Sequence, residues 1–131
     1  MIDPNDNLCA AYLKDADDSL NTMVSIQGKW KVVTAYYSCY NALYAILLKV
    51  GIKSEIHECT LALMSLFQFT QEDISFLSQL KKERIAAQYY LKNVFLPNDV
   101  QVKSFVLKCK QLAAQLDHDT ITKIRGLVKN D

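Results

Sequence analysis

Glycine and proline are scarce in this sequence, with 3 and 2 among 131 residues. A sandwich of many short strands needs turn chemistry about every ten residues, so this scarcity argues against one and for a few long helices. Charge of one sign is also missing: the net charge is +1, and no overall field calls for nucleic acid or a membrane. The four cysteines, Cys9, Cys39, Cys59 and Cys109, contain no CxxC pair. Each stands among apolar neighbours, where a free thiol behaves as a small hydrophobe. Asp3 and Asp6 occupy the place of the basic region of a signal peptide, so the expectation is a reduced, cytoplasmic protein. No GxSxG, HExxH, P-loop or GxGxxG occurs, and no cofactor or metal is expected.

Half the residues are apolar and 22% are charged, a globular composition at single-domain length. Residues 1–131 are read as one domain. The charge is unevenly spread. Asp3, Asp6, Asp15, Asp17 and Asp18 face only Lys14 in the first twenty residues, and Lys81, Lys82, Arg84 and Lys92 outnumber Glu83 in residues 81–92. The acidic stretch reads most simply as a solvated helix face.

Residues 32–48 are mostly apolar and just long enough to test as a membrane span. Thr34, Ser38, Asn41 and four tyrosines suit a bilayer centre poorly, so a helix buried on nearly all sides is the better reading.

Hydrophobic periodicity places five helices. The first opens at Asp3-Pro4. The second runs from about Trp30 to Val50 and ends at Gly51, a suitable C-cap. The third covers about Glu55 to Phe69. Thr70 N-caps the fourth, with Asp73 completing a capping box, and this helix reaches about Lys92. The fifth follows Pro97 and continues to the end, with Asp117-His118-Asp119 breaking it or lying on its surface. The product is an all-α, single up-down bundle with antiparallel neighbours.

The fourth helix carries the sharpest anomaly. Arg84 falls in the middle of the apolar sector of Phe76, Leu77, Leu80, Ala87 and Leu91. A buried guanidinium needs a carboxylate, carbonyls or an anion, because leaving it unpaired costs several kcal/mol. The bland alternative is an arginine whose stem packs while its head reaches water or an aspartate. On the second helix, Trp30, Tyr37, Tyr40 and Tyr44 form an aromatic sector, read first as core or a dimer seam and second as a stacking platform for bases. Asn41 within it needs hydrogen-bond partners if buried. His57 and Cys59 alternate on a helix and point apart, which disfavours a metal. His118, between two aspartates, reads as a solvated histidine.

The run Ala35-Tyr36-Tyr37-Ser38-Cys39-Tyr40-Asn41-Ala42, then Leu47-Leu48-Lys49-Val50-Gly51-Ile52, then His57, resembles the second-helix signature of HEPN domains. Arg84-Ile85-Ala86-Ala87-Gln88-Tyr89 resembles that family's Arg-x-x-Ala-Asp-Tyr stretch. The resemblance covers about residues 8–128 in helix order. It implies a bundle of about five helices, a homodimer with a cleft at its interface, and partnership with a minimal nucleotidyltransferase in a two-component, toxin–antitoxin-like system. Catalytic members are metal-independent ribonucleases with four to six residues between the arginine and a histidine. Here the positions open to that histidine hold Tyr89, Tyr90 and Leu91, so the motif is incomplete. Without an imidazole there, no side chain of suitable pKa moves the 2′-hydroxyl proton.

The first expectation is therefore a HEPN domain that binds RNA, a nucleotide or a nucleotidyltransferase. Arg84, Lys81, Lys82, Asn41 and Tyr37 are its candidate anion-binding residues, and Tyr89 or Tyr90 is a candidate for modification by the partner. The alternatives are a ribonuclease using a non-standard pair such as Arg84 with His57, and a helical interaction module held by its tyrosine-rich seam of Trp30, Tyr40 and Tyr44.

Overall fold

Six α-helices account for the architecture of the described residues, and no strand occurs among them. The computed structural model describes residues 1–54, 56–89 and 98–129. Helix α1 spans Asp6–Ser25, α2 Lys29–Val50, α3 His57–Ala62, α4 Gln71–Tyr89, α5 Asp99–Gln115 and α6 His118–Lys129. A 3₁₀ turn, Leu63–Leu66, follows α3.

The expected all-α bundle is present, with six helices in place of five. Asp117 ends one helix and starts the next: its carboxylate accepts from the Thr120 amide at 2.8 Å and caps α6. The third helix is shorter than its periodicity suggested, because the chain tightens into the 3₁₀ turn after Ala62. The first helix starts later. Asn5, not Asp3-Pro4, is its cap, accepting from the Leu8 amide at 2.9 Å. The expected continuation of α4 to Lys92 lies outside the described residues.

Helix α2 is the central rod. Sixteen of its 22 residues are buried, on every side of the helix, as its all-round apolar sequence requires. Helix α1 runs antiparallel to it: Asn5 donates to the Leu48 carbonyl, Ser38 to that of Ala16, and the Lys31 ammonium to that of Met23. Helices α4 and α5 cover other faces and are themselves antiparallel, since Asp73 meets Lys108 while Phe76 meets Phe105. One continuous apolar core joins α1, α2, α4, α5 and α6 around residues such as Met23, Leu43, Leu77, Val106 and Ile124. Among the described residues, no helix is long and apolar enough to cross a membrane.

Two local devices hold the ends. The Thr70 amide donates to Asp73 at 2.9 Å while the Asp73 amide donates to the Thr70 hydroxyl at 3.1 Å, a reciprocal capping box opening α4. At the other end of α2, Gly51 is left-handed, with φ at 87°, and its amide bonds the Leu47 and Leu48 carbonyls. Arg125 of α6 reaches this turn and donates to the carbonyls of Ile2, Val50 and Gly51 at 2.6, 2.9 and 3.4 Å.

Candidate functional site

The apolar stripe of α4 carries Arg84 into the core, as its position between Leu80 and Ala87 dictates. The side chain is 7% exposed. Its guanidinium carbon stands 4.8 Å from the ring centre of Tyr36 and 5.6 Å from that of Tyr37, close enough for cation–π attraction of about 2 kcal/mol when desolvated. One terminal nitrogen donates to the Tyr37 hydroxyl at 3.4 Å and to the Gln88 side-chain oxygen at 3.3 Å. Both bonds are long, and both acceptors are neutral. The Arg84 Nε is buried with no hydrogen-bond partner. Among the described side chains, no carboxylate pairs with this guanidinium.

Tyr36 extends the cluster. It is fully buried, and its hydroxyl lies 2.7 Å from His57 Nδ1. Its ring thus carries Arg84 while its hydroxyl holds the imidazole. The His57 ring lies parallel to that of Tyr40, with centroids 4.1 Å apart and 9° between planes. Tyr40 is anchored in turn by Thr60, hydroxyl to hydroxyl at 3.3 Å. His57 opens α3, so the bend of the chain between α2 and α3 brings it back over the middle of α2.

The charges are set by this packing. Burial first, then the cations of Arg84 and Lys81, hold the His57 pKa below its ordinary value. The imidazole is therefore neutral at physiological pH. Burial pushes the Tyr36 hydroxyl well above the usual tyrosine range, against the pull of Arg84, and it stays protonated. Two tautomers satisfy the Tyr36–His57 bond. If Tyr36 donates, the proton sits on Nε2. If Nδ1 donates, Nε2 keeps its lone pair and is available as a base.

The candidates read from sequence are distributed as follows. Arg84, Tyr37 and His57 come together. Lys81, one turn before Arg84, lies near enough for its charge to act on His57. Asn41 is half-buried one turn beyond Tyr37, and Lys82 is exposed. Tyr89 is 67% exposed at the end of α4. Tyr90 lies outside the described residues. The expected seam is divided: Trp30 is exposed, whereas Tyr40 and Tyr44 are buried within the single chain, against His57 and Tyr12. Tyr36 was the residue missed. The sequence marks it only by its place in the Ala35–Ala42 run.

Away from this cluster, a hollow of about 550 Å³ lies between α1, α5 and the start of α6, lined by Cys9, Lys49, Lys110 and His118 among others. Its lysines are engaged, Lys49 with the Ala113 carbonyl and Lys110 with Asp17 at 2.7 Å. Its cations have partners, whereas Arg84 keeps an unused donor. Among the described residues, no three His, Cys, Asp or Glu side chains gather as a metal site.

No family model matches the chain, and no curated protein matches it. The site's own geometry carries the functional argument.

Proposed function

We propose that this chain is a HEPN-like helical domain that binds the phosphate of RNA or of a nucleotide at Arg84. In this reading it works as a homodimer beside a minimal nucleotidyltransferase in a two-component system. One observation carries the binding function: a guanidinium 7% exposed, with an unpartnered Nε and no carboxylate beside it among the described side chains. A buried cation without an anion is costly, and arginine grips phosphate through paired N–H donors. The neutral His57 and the cation of Lys81 stand by the same aromatic cluster.

Titration of the full chain with a fluorescein-labelled single-stranded RNA tests the reading. Arg84→Met, which keeps stem volume and removes the charge, is expected to weaken binding at least tenfold while the helical circular dichroism is kept. Wild-type protein that binds neither RNA nor nucleotide refutes it. Recovery of a nucleotidyltransferase in stoichiometric amount, on purification from the native cells, tests the partnership.

A second reading is favoured by Tyr36, which touches both Arg84 and His57. In this reading the chain is a metal-independent ribonuclease with a non-standard pair. His57 Nε2 would take the 2′-hydroxyl proton as the 2′-oxygen attacks phosphorus, Arg84 would stabilise the charged phosphorane, and the P–O5′ bond would break with the 5′-oxygen leaving on a proton from water, to give a 2′,3′-cyclic phosphate. General base catalysis contributes about 10²–10⁴-fold, so His57→Gln should reduce cleavage of an RNA by that factor. Cleavage that survives removal of both residues rules this reading out.

A further inference from the structure

The depth and the charge of the Arg84 site restrict which phosphate it takes. We propose that Arg84 receives a phosphomonoester, the terminal phosphate of an RNA end or of a mononucleotide, and discriminates against the internal phosphodiesters of a strand. The inference rests on the binding function proposed above and names its ligand class.

Three observations carry it. The first is depth. Arg84 is 7% exposed and covered by the rings of Tyr36 and Tyr37. A phosphodiester continues on both sides of phosphorus and needs an open strip on which to lie. A phosphomonoester leaves by one bridging oxygen and enters end-on, presenting three oxygens. The second is unused donor capacity. Nε has no partner, and the terminal nitrogen makes only long bonds to Tyr37 and Gln88. Gln88 is half-buried at the end of a flexible side chain, so it can yield to an oxygen that bridges the guanidinium edge. The third is charge. A phosphomonoester carries ≈ −1.5 to −2 at neutral pH, where a diester carries −1. The site offers the fixed charge of Arg84 and the nearby charge of Lys81. That constellation gains more from the second negative charge than an isolated surface arginine would.

The test uses the full chain and one ten-nucleotide RNA in three forms: 5′-phosphorylated, 3′-phosphorylated, and with hydroxyls at both ends. Binding is read by anisotropy, with 5′-adenosine monophosphate and inorganic phosphate as competitors. At least tenfold tighter binding of one phosphorylated form than of the hydroxyl form is expected, together with competition by inorganic phosphate. Preference for one end identifies a 5′ or a 3′ terminus. A monophosphate that binds as tightly as the oligomer identifies a mononucleotide, and both results support the proposal. Equal affinity for all three oligomers makes Arg84 a backbone reader and overturns the inference while leaving RNA binding intact. Failure of every probe to bind overturns the inference and the function beneath it. Arg84→Met should erase the difference between the oligomers. Should that variant fail to fold, the Arg84 Nε–H resonance of the wild type replaces it as the readout. The resonance must shift on addition of inorganic phosphate, and an unmoved resonance refutes the site.

Discussion

Gly51→Ala tests how the bundle is closed. Gly51 sits at φ 87°, where a side chain costs about 1–2 kcal/mol. An added Cβ would meet the Arg125 guanidinium and the Ile2 carbonyl closer than real Cβ atoms come, and the Pro4 nitrogen at 2.8 Å. The Arg125 head must then leave its three carbonyls. Charged hydrogen bonds of this kind contribute about 1.5–3 kcal/mol when well formed; because Arg125 is only half-buried, we take about 2 kcal/mol for the group. The total is about 3–4 kcal/mol. For a chain of this length, 1 kcal/mol moves Tm by roughly 3–5 °C, so Gly51→Ala should melt about 10–20 °C lower by circular dichroism. Arg125→Met should cost about 2 kcal/mol alone. The two changes should be less than additive, since one of the blocked atoms is gone once Arg125 is replaced. A loss under 3 °C for Gly51→Ala, or strict additivity, refutes the interlock.

Other expectations follow from the same coordinates. Burial alone would raise the Asp73 carboxyl, but Lys108 and Thr70 together hold it below the usual carboxylate value. Its contribution to stability is therefore full above about pH 4 and lost as pH falls through the lowered value; Asp73→Asn should flatten that limb of an acid titration. The His57 pKa is lowered by burial, Arg84 and Lys81, so the unfolded chain binds its proton more readily and stability falls as pH drops below about 6.5. His57→Gln should remove this loss, and the His57 titration followed by NMR should move up when inorganic phosphate is added. Tyr36→Phe keeps the ring against Arg84 and removes the hydroxyl from His57; it should change the His57 tautomer signature while leaving Tm within a few degrees. Tyr89 is exposed, so if a nucleotidyltransferase partner modifies α4, intact mass after incubation with it and a nucleotide should rise, and Tyr89→Phe together with Tyr90→Phe should abolish the gain.

Local and periodic features were legible in the sequence. The all-round apolar run from Val32 to Leu48 required a covered helix, Gly51 marked its end, and Thr70 with Asp73 marked the start of α4. Arg84 was legible as a buried cation because its apolar neighbours share one helical sector. Its partners were less legible. The Tyr36–His57 bond joins residues 21 apart, across a turn whose direction no periodicity encodes. Tyr40 and Tyr44 looked available for a seam because the helical projection cannot say which neighbour covers a face. His57 and Tyr12 cover them. The break after Ala62 was hidden because Leu63, Met64 and Leu66 suit a 3₁₀ turn as well as an α-helix.

The central position of α2 also governs the order in which the chain can fold. Its covering by α1 comes from its sequence neighbour, so the α1–α2 hairpin closes a short loop and is available early. The α5 side is different. Lys31 meets Asp99 at 3.0 Å, and Lys49 meets the Ala113 carbonyl 64 residues away, contacts that each span about half the chain. During synthesis, the apolar α2 face that receives α5 has no cover until more than a hundred residues have emerged. The most buried helix of the finished protein is the most exposed to misassociation during its making. A nascent chain truncated before Asn98 should therefore be held by chaperones or aggregate, while the full chain should fold on release.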